Sequence, residues 1–162
     1  MAQGFAEILA TLEREEVEFV VVGGAAAVLQ GVPIVTQDID IVHRRTEANA
    51  ARLAAALEKM GAVYRHDPRG LRPGVSHLVG PGHQLTQTRH GPLDCLGTIE
   101  DTTTYEDLLP HADVLEIDGL HVHVLTLERL IEVKKKLERT KDKLMLLQLE
   151  ATLSERKKLG RP

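Results

Sequence analysis

A β-branched run that ends in two glycines, followed by two aspartates one residue apart, constrains this chain more than any other feature. In VVVGGAAAVLQGVPIVTQDIDIV, residues 20–42, the valines predict a strand over Glu18–Val22 that runs into a turn at Gly23-Gly24. Ala25–Gln30 then reads as a short helix stopped by Gly31 and Pro33. Asp38–His43 alternates acidic and apolar side chains, the mark of a second strand with one polar face. On a strand, residues i and i+2 project from the same face. Asp38 and Asp40 therefore point together while Ile39 and Ile41 face the core. Two carboxylates held this way repel each other unless a cation joins them, and they suit a hard divalent ion such as Mg²⁺. An exposed strand edge with two surface aspartates would give the same bare D-x-D.

The remaining pattern is one of alternating short elements. Phe5, Ile8, Leu9 and Leu12 recur at helical spacing within residues 3–16. Thr46 caps a helix that runs to Met60 and ends at Gly61. Residues 64–91 are rich in proline and glycine, and short strands are predicted near 62–66, 75–79 and 83–89. Leu93–Ile99 predicts a further strand, and Tyr105–Leu109 a short helix. Asp113–Ile117 and Leu120–Leu125 form a hairpin around Asp118-Gly119. Thr126 caps a helix to about Glu138, and a second runs from about Lys141 to Leu153. A single domain over residues 1–155 follows, with a frayed tail at 156–162.

Composition excludes several classes. The 162 residues, 43% apolar and 27% charged, suit one globular domain with its own core. No apolar run reaches membrane-spanning length, and no basic segment precedes an apolar one at the N-terminus, so a cytoplasmic protein without a membrane partner is expected. One cysteine, Cys95, admits no intramolecular disulfide. Two Phe, two Tyr and no Trp argue against recognition by base stacking. Charge is unevenly spread: residues 1–125 hold 9 Lys/Arg against 18 Asp/Glu, and residues 126–162 hold 11 against 6. The basic C-terminal segment could face phosphates, or be a solvated helix face.

Two features join the aspartates. Glycines between a strand and a helix let the backbone approach a phosphate at the helix start, although GGAAAV lacks the third glycine of the dinucleotide fingerprint. Asp94, in GPLDCL, is an acidic residue in another apolar strand. Were that strand a neighbour of the first, three carboxylates would converge, as two-metal phosphoryl or nucleotidyl transfer requires.

These residues resemble the DNA polymerase β-type nucleotidyltransferase superfamily, and within it small prokaryotic nucleotidyltransferase-like proteins, including those of toxin–antitoxin and abortive-infection systems of the AbiEii type. The resemblance rests on Gly23-Gly24-Ala25-Ala26, Gly31, Thr36-Gln37-Asp38-Ile39-Asp40, Gly91-Pro92-Leu93-Asp94-Cys95-Leu96, Leu127–Lys134 and Arg139-Thr140-Lys141-Asp142. It implies an α/β (α+β) fold with a mixed, mainly antiparallel sheet flanked by helices and closed by C-terminal helices. It also implies Mg²⁺ (or Mn²⁺) bound by Asp38, Asp40 and Asp94, with the same three residues catalytic. A nucleoside triphosphate would be held by Gly23, Gly24 and Thr36, with Lys134 and Lys141 on its phosphates. The acceptor would be a hydroxyl of RNA, protein or a small molecule, with a toxin or antitoxin as possible partner protein. Many relatives carry an arginine two residues before the threonine, where this chain has Ile34.

Other readings compete. D-I-D-I-V matches the aspartyl-phosphate pattern of haloacid-dehalogenase-like phosphatases, but the preceding PIVTQ is a poor buried strand for that motif. His121 and His123 alternate on a strand and could bind zinc, yet lack a third nearby ligand. His43, Arg44 and Arg45 either touch a nucleotide or simply end the D-I-D strand. A catalytically silent relative acting as a binding or antitoxin module is the main functional alternative. Three retained acids favour the enzyme, because clustered carboxylates cost stability unless they bind a cation.

Overall fold

In the computed structural model, which describes residues 3–137 and 140–160, the valine run lies at the centre of a sheet. Strand β1 (Phe19–Val22) is buried along its whole length, as a run without polar alternation must be. The other strands are β2 (Ile39–His43), β3 (Val63–Tyr64), β4 (His83–Thr88), β5 (Gly91–Leu96), β6 (Ala112–Ile117) and β7 (Leu120–Leu125), in the order β3-β4-β5-β2-β1-β7-β6. The pairs β1–β2, β3–β4, β4–β5 and β6–β7 are antiparallel, whereas β2–β5 and β1–β7 are parallel. The sheet is thus mixed and mainly antiparallel, as expected.

Helices α1 (Gln3–Arg14), α2 (Gly23–Leu29), α3 (Glu47–Lys59), α4 (Val75–Leu78), α5 (Tyr105–Leu108), α6 (Leu127–Lys135) and α7 (Thr140–Lys158) complete the fold. Helix α1 buries Phe5, Ile8, Leu9 and Leu12, the four residues of its predicted stripe. Helix α3 buries Ala50, Leu53, Ala56 and Leu57 behind its Thr46 cap, whose side chain accepts from the Asn49 amide. Asn49 itself is fully buried. It accepts from the Glu18 amide (2.8 Å) and donates to the carbonyls of Glu18 (3.0 Å) and Arg44 (2.8 Å). One side chain therefore ties the start of β1 and the end of β2 to α3. No described helix is long and apolar enough to cross a membrane.

Two expectations are corrected. Residues 75–78 form a helix, not a strand. Leu78 is fully buried there, the His77 ring accepts from the Gly74 amide at 3.0 Å, and the Leu78 carbonyl meets the buried His43 ring at 2.7 Å. Four residues are too few for a 3.6 period to be read. The last helix also continues to Lys158, past the predicted onset of fraying. Arg156 donates to the Gln30 carbonyl at 2.6 Å, and Gln30 in turn donates to Asp113 and to the Leu125 carbonyl. The C-terminal helix is thereby latched to the end of α2. Glu138 and Arg139 lie outside the described residues.

Helix α6 is anchored by a charge cluster that its sequence does not advertise. The Glu100 carboxylate, 8% exposed, accepts from Arg129 and from Lys136. Hydrogen bonds from Arg129, and then from Lys136, hold it at about 2, below the ordinary carboxylate value of 4.5. A depressed carboxylate stabilises the fold above its unfolded value and stops doing so as pH falls toward its folded one. Urea denaturation of wild type should therefore show a stability contribution that is complete above about pH 4.5 and lost progressively toward pH 2. Glu100→Gln should cost about 2–3 kcal/mol at neutral pH and flatten that acid limb.

Candidate active site

The strand register assembles the site. Val22, the last residue of β1, pairs with Asp40. Asp40 pairs in turn with Asp94 across the parallel β2–β5 ladder, in the register Ile39–Leu93, Asp40–Asp94, Ile41–Cys95. Residues in register share a face, so the two carboxylates stand side by side while Ile39, Ile41, Leu93 and Cys95 are buried on the other. Asp94 is 7% exposed. Asp40 is pushed well above the usual carboxylate range, first by burial, then by the charge of Asp94 and a hydrogen bond shared with it, then by Asp38. Two negative charges side by side are costly to hold without a cation.

Gly23 packs against that pair. Its φ is +63°, and a Cβ built there would lie 2.7 Å from Asp40 Oδ2. Glycine is required twice over, for a left-handed backbone and for the close approach of a carboxylate. Gly24 is less constrained: its Cβ would meet Thr36 Oγ1 at 3.1 Å with no left-handed φ. Thr36 donates to the Asp38 carbonyl at 3.3 Å, so it braces the approach to β2 beside the glycines.

Sequence reasoning missed the cation that faces this site. Arg65 lies directly after β3, and its amide donates to the Leu85 carbonyl at 2.9 Å. Its guanidinium reaches over to Asp94, with Nη2 donating to Oδ2 at 3.2 Å and Nη1 at 2.8 Å from Oδ1. Nη1 spends its aligned hydrogen bond on the Thr86 carbonyl (2.8 Å). Asp94 Oδ1 is left buried with no aligned donor among the described residues. The only hint in the sequence is the run of three arginines at 65, 69 and 72.

Of the predicted residues, the structure brings together Asp40, Asp94 and Gly23, with Gly24 and Thr36 beside them and Asp38 within electrostatic reach. Among the described residues no three His, Cys, Asp or Glu side chains converge tightly enough to hold an ion alone. The Lys134 ammonium donates to Asp142 at 2.9 Å, joining α6 to α7. The Lys141 side chain lies outside the described residues. The strand-end cations have structural partners. His43 meets the Leu78 carbonyl, Arg44 pairs with Glu18 and Glu106 and stacks over Tyr105, and Arg45 donates to the Val79 carbonyl. Cys95 is fully buried, and burial and Asp94 push its thiol far up, away from nucleophilic use.

With that geometry in hand, comparison with known proteins is specific about the fold. The sequence model of the aminoglycoside-2''-adenylyltransferase family matches residues 5–80. The lincomycin-bound lincosamide antibiotic adenylyltransferase LnuA is similar over 94% of this chain and 98% of its own, at 14% identity and a TM-score of 0.64. ANT(2'')-Ia, solved with adenylyl-2''-tobramycin, aligns over 94% and 89% at 16% identity and a TM-score of 0.60. A Thermotoga maritima protein assigned to the nucleotidyltransferases aligns over 99% and 96% at 21% identity and a TM-score of 0.55. No curated protein sequence matches the chain. The fold is that of the nucleotidyltransferases.

The two glycines separate on testing. Gly23→Ala should destabilise by about 1–3 kcal/mol, from the left-handed backbone and the displaced Asp40. Gly24→Ala should stay within about 1 kcal/mol of wild type, because only the Thr36 side chain has to give. Urea midpoints of the two variants, measured side by side, check the difference.

Proposed function

We propose that this chain is a nucleotidyltransferase, moving a nucleoside monophosphate from a nucleoside triphosphate to a hydroxyl of a small-molecule acceptor. The observation that carries this reading is the Asp40–Asp94 pair in parallel register beside Gly23. Asp38, Asp40 and Asp94 are the residues proposed to hold Mg²⁺ or Mn²⁺. The donors are hard carboxylate oxygens, one of them a buried oxygen without an aligned donor, and Gly23 lets backbone lie against the Asp40 carboxylate. Mg²⁺ is usually bound through one or two carboxylates plus substrate phosphates rather than by a closed protein cage. An open pair with a third acid nearby fits that habit. The ion, when bound, would supply charge neutralisation at the triphosphate and the departing pyrophosphate.

The chain's own residues have the following parts. Gly23 and Gly24 let backbone come close to the triphosphate, and Thr36 keeps the loop before β2 in place. The acceptor oxygen forms a bond to the α-phosphorus, and the bond from that phosphorus to the bridging oxygen of the pyrophosphate breaks. The hydroxyl proton passes to a carboxylate oxygen of Asp94, the acid proposed to activate the acceptor. Lys134 has three donors, one of them used on Asp142, and could turn another to a phosphate. Lys141 is proposed on the same phosphates from its place one turn before Met145. Small-molecule acceptors are favoured because two of the similar solved proteins, LnuA and ANT(2'')-Ia, act on antibiotics. RNA or protein hydroxyls, and a toxin–antitoxin setting, are the class that the small prokaryotic proteins suggest.

One observation favours a silent binding module instead: Arg65 already neutralises Asp94 without any metal. The two readings part in a single assay. Wild type incubated with each α-labelled triphosphate, Mg²⁺ and a cell extract should release pyrophosphate and place label on a small molecule. Asp40→Asn and Asp94→Asn should each lower transfer by about a hundredfold or more. Wild type inactive with all four triphosphates would leave the silent module standing. Label on RNA or protein would move the acceptor class.

A further inference from the structure

A second cleft adjoins the carboxylates, with Arg65 as its shared wall. It lies at the β3 edge of the sheet, encloses about 650 Å³ and is lined by Tyr64, Arg65, Asp67, Arg69, Arg72 and His77, together with Leu71 and Gln84. That volume falls within the range of roughly 300–1,000 Å³ typical of small-molecule sites.

The cleft's hydrogen-bonding inventory is one-sided. The Tyr64 hydroxyl donates to Gln84 Oε1 at 2.5 Å, so Gln84 presents its amide N–H groups. His77 Nδ1 accepts from the Gly74 amide, which puts the ring's proton on Nε2 as a donor. Arg72 uses Nε on the Ala62 carbonyl at 2.9 Å and has its terminal nitrogens to offer. The one acid, Asp67, is occupied by Arg69, which contacts it through its amide, Nε and Nη2 at 2.8–3.0 Å. What remains for a ligand is an array of donors: the Gln84 amide, His77 Nε2 and the terminal nitrogens of Arg72, with Arg65 and Arg69 beside them already paired to Asp94 and Asp67. Such an array selects an anion with several acceptor oxygens, and arginine matches phosphate in particular.

The setting restricts the anion to a small one. Outside residues 65–72, the first 125 residues hold 6 Lys/Arg against 17 Asp/Glu. A long polyanion would meet that acidic body, whereas a single phosphate would meet only the cleft. A polycation such as tobramycin would meet the Arg72 guanidinium, which has no ion pair among the described residues, and a wall of donors, a repulsive element that works against it.

We infer that the acceptor is a small phosphorylated molecule, its phosphate held in this cleft by Arg72, Arg69, His77 and Gln84 while its hydroxyl reaches the carboxylates past Arg65. This rests on the nucleotidyltransferase reading and narrows its acceptor. Calorimetric titration of the full chain tests it, with Mg²⁺ and a non-hydrolysable ATP analogue at saturation, using ribose 5-phosphate and ribose as probes. Wild type should bind ribose 5-phosphate about tenfold or more tighter than ribose. Arg72→Glu should abolish that preference and Arg72→Gln reduce it, with the thermal midpoint of each variant confirming that it folds. Equal affinity for the two sugars, a preference that survives Arg69→Glu/Arg72→Glu, or a tighter hold on tobramycin would overturn the inference. So would a tighter hold on a short oligoribonucleotide, or ribose 5-phosphate binding only when the ATP analogue is left out. Failure of wild type to bind the analogue itself would instead count against the nucleotidyltransferase reading, and it is measured first and separately.

Discussion

Asp40 and Asp94 face each other in adjacent parallel strands, and the rest of the site is arranged around that opposition. Like charges directly across a ladder destabilise a sheet. On the opposite face of the same two strands, Ile39, Ile41, Leu93 and Cys95 are all but fully buried, and each large aliphatic side chain contributes about 1.5–3 kcal/mol. Apolar burial on one face therefore fixes a register that the other face would not choose. A one-residue slip would separate the acids, but it would also turn the isoleucines out of the core. The acids cannot relax apart without unpacking the centre of the molecule.

What relieves the pair electrostatically comes from three directions. Asp40 takes up a proton more readily than an ordinary carboxylate, and Arg65 sits on Asp94 through both terminal nitrogens. The third is space: Gly23 brings backbone without a side chain to within contact of Asp40. Arg65 also answers the absence noted at Ile34. The basic group beside the carboxylates is delivered from the sheet edge, two strands away, and Ile34 packs partly buried against the core. A guanidinium at that edge is then common to the carboxylate centre and to the arginine-lined cleft.

Legibility in the sequence followed the range of the interactions. Elements set by local chemistry were readable: the stripe of α1, the Thr46 and Thr126 caps, and the hairpin at Asp118-Gly119, where both residues adopt positive φ. Asp40 and Asp94 stood out because an acid in an apolar strand is anomalous in itself; Asp38, expected as the first residue of β2, lies just before that strand begins at Ile39. Arg65 was invisible because its role depends on β3 pairing with β4 and β4 with β5, none of which leaves a mark on YRHDPRG. The 75–78 helix was misread for a related reason. What makes VSHL helical is the His77–Gly74 contact and the burial of Leu78 under His43, and its own four residues do not decide it.

The same distinction explains why the two concentrations of positive charge differ in meaning. The basic C-terminal segment is the more conspicuous in the sequence, yet four of its cations have partners within the fold: Arg129 and Lys136 to Glu100, Lys134 to Asp142, Arg156 to Gln30. These contacts hold α6 and α7 to the sheet and to each other. Arg65, Arg69 and Arg72 are fewer and sit in an acidic body, but they are gathered at one edge, where Arg65 pairs with Asp94, Arg69 pairs with Asp67 and Arg72 has no ion pair among the described residues. Charge that lies on a solvated or internally paired surface contributes little to recognition. Charge gathered in a concave site beside low-dielectric walls contributes much more. Position beside the carboxylate pair, rather than abundance, sets the three arginines apart from the C-terminal cations.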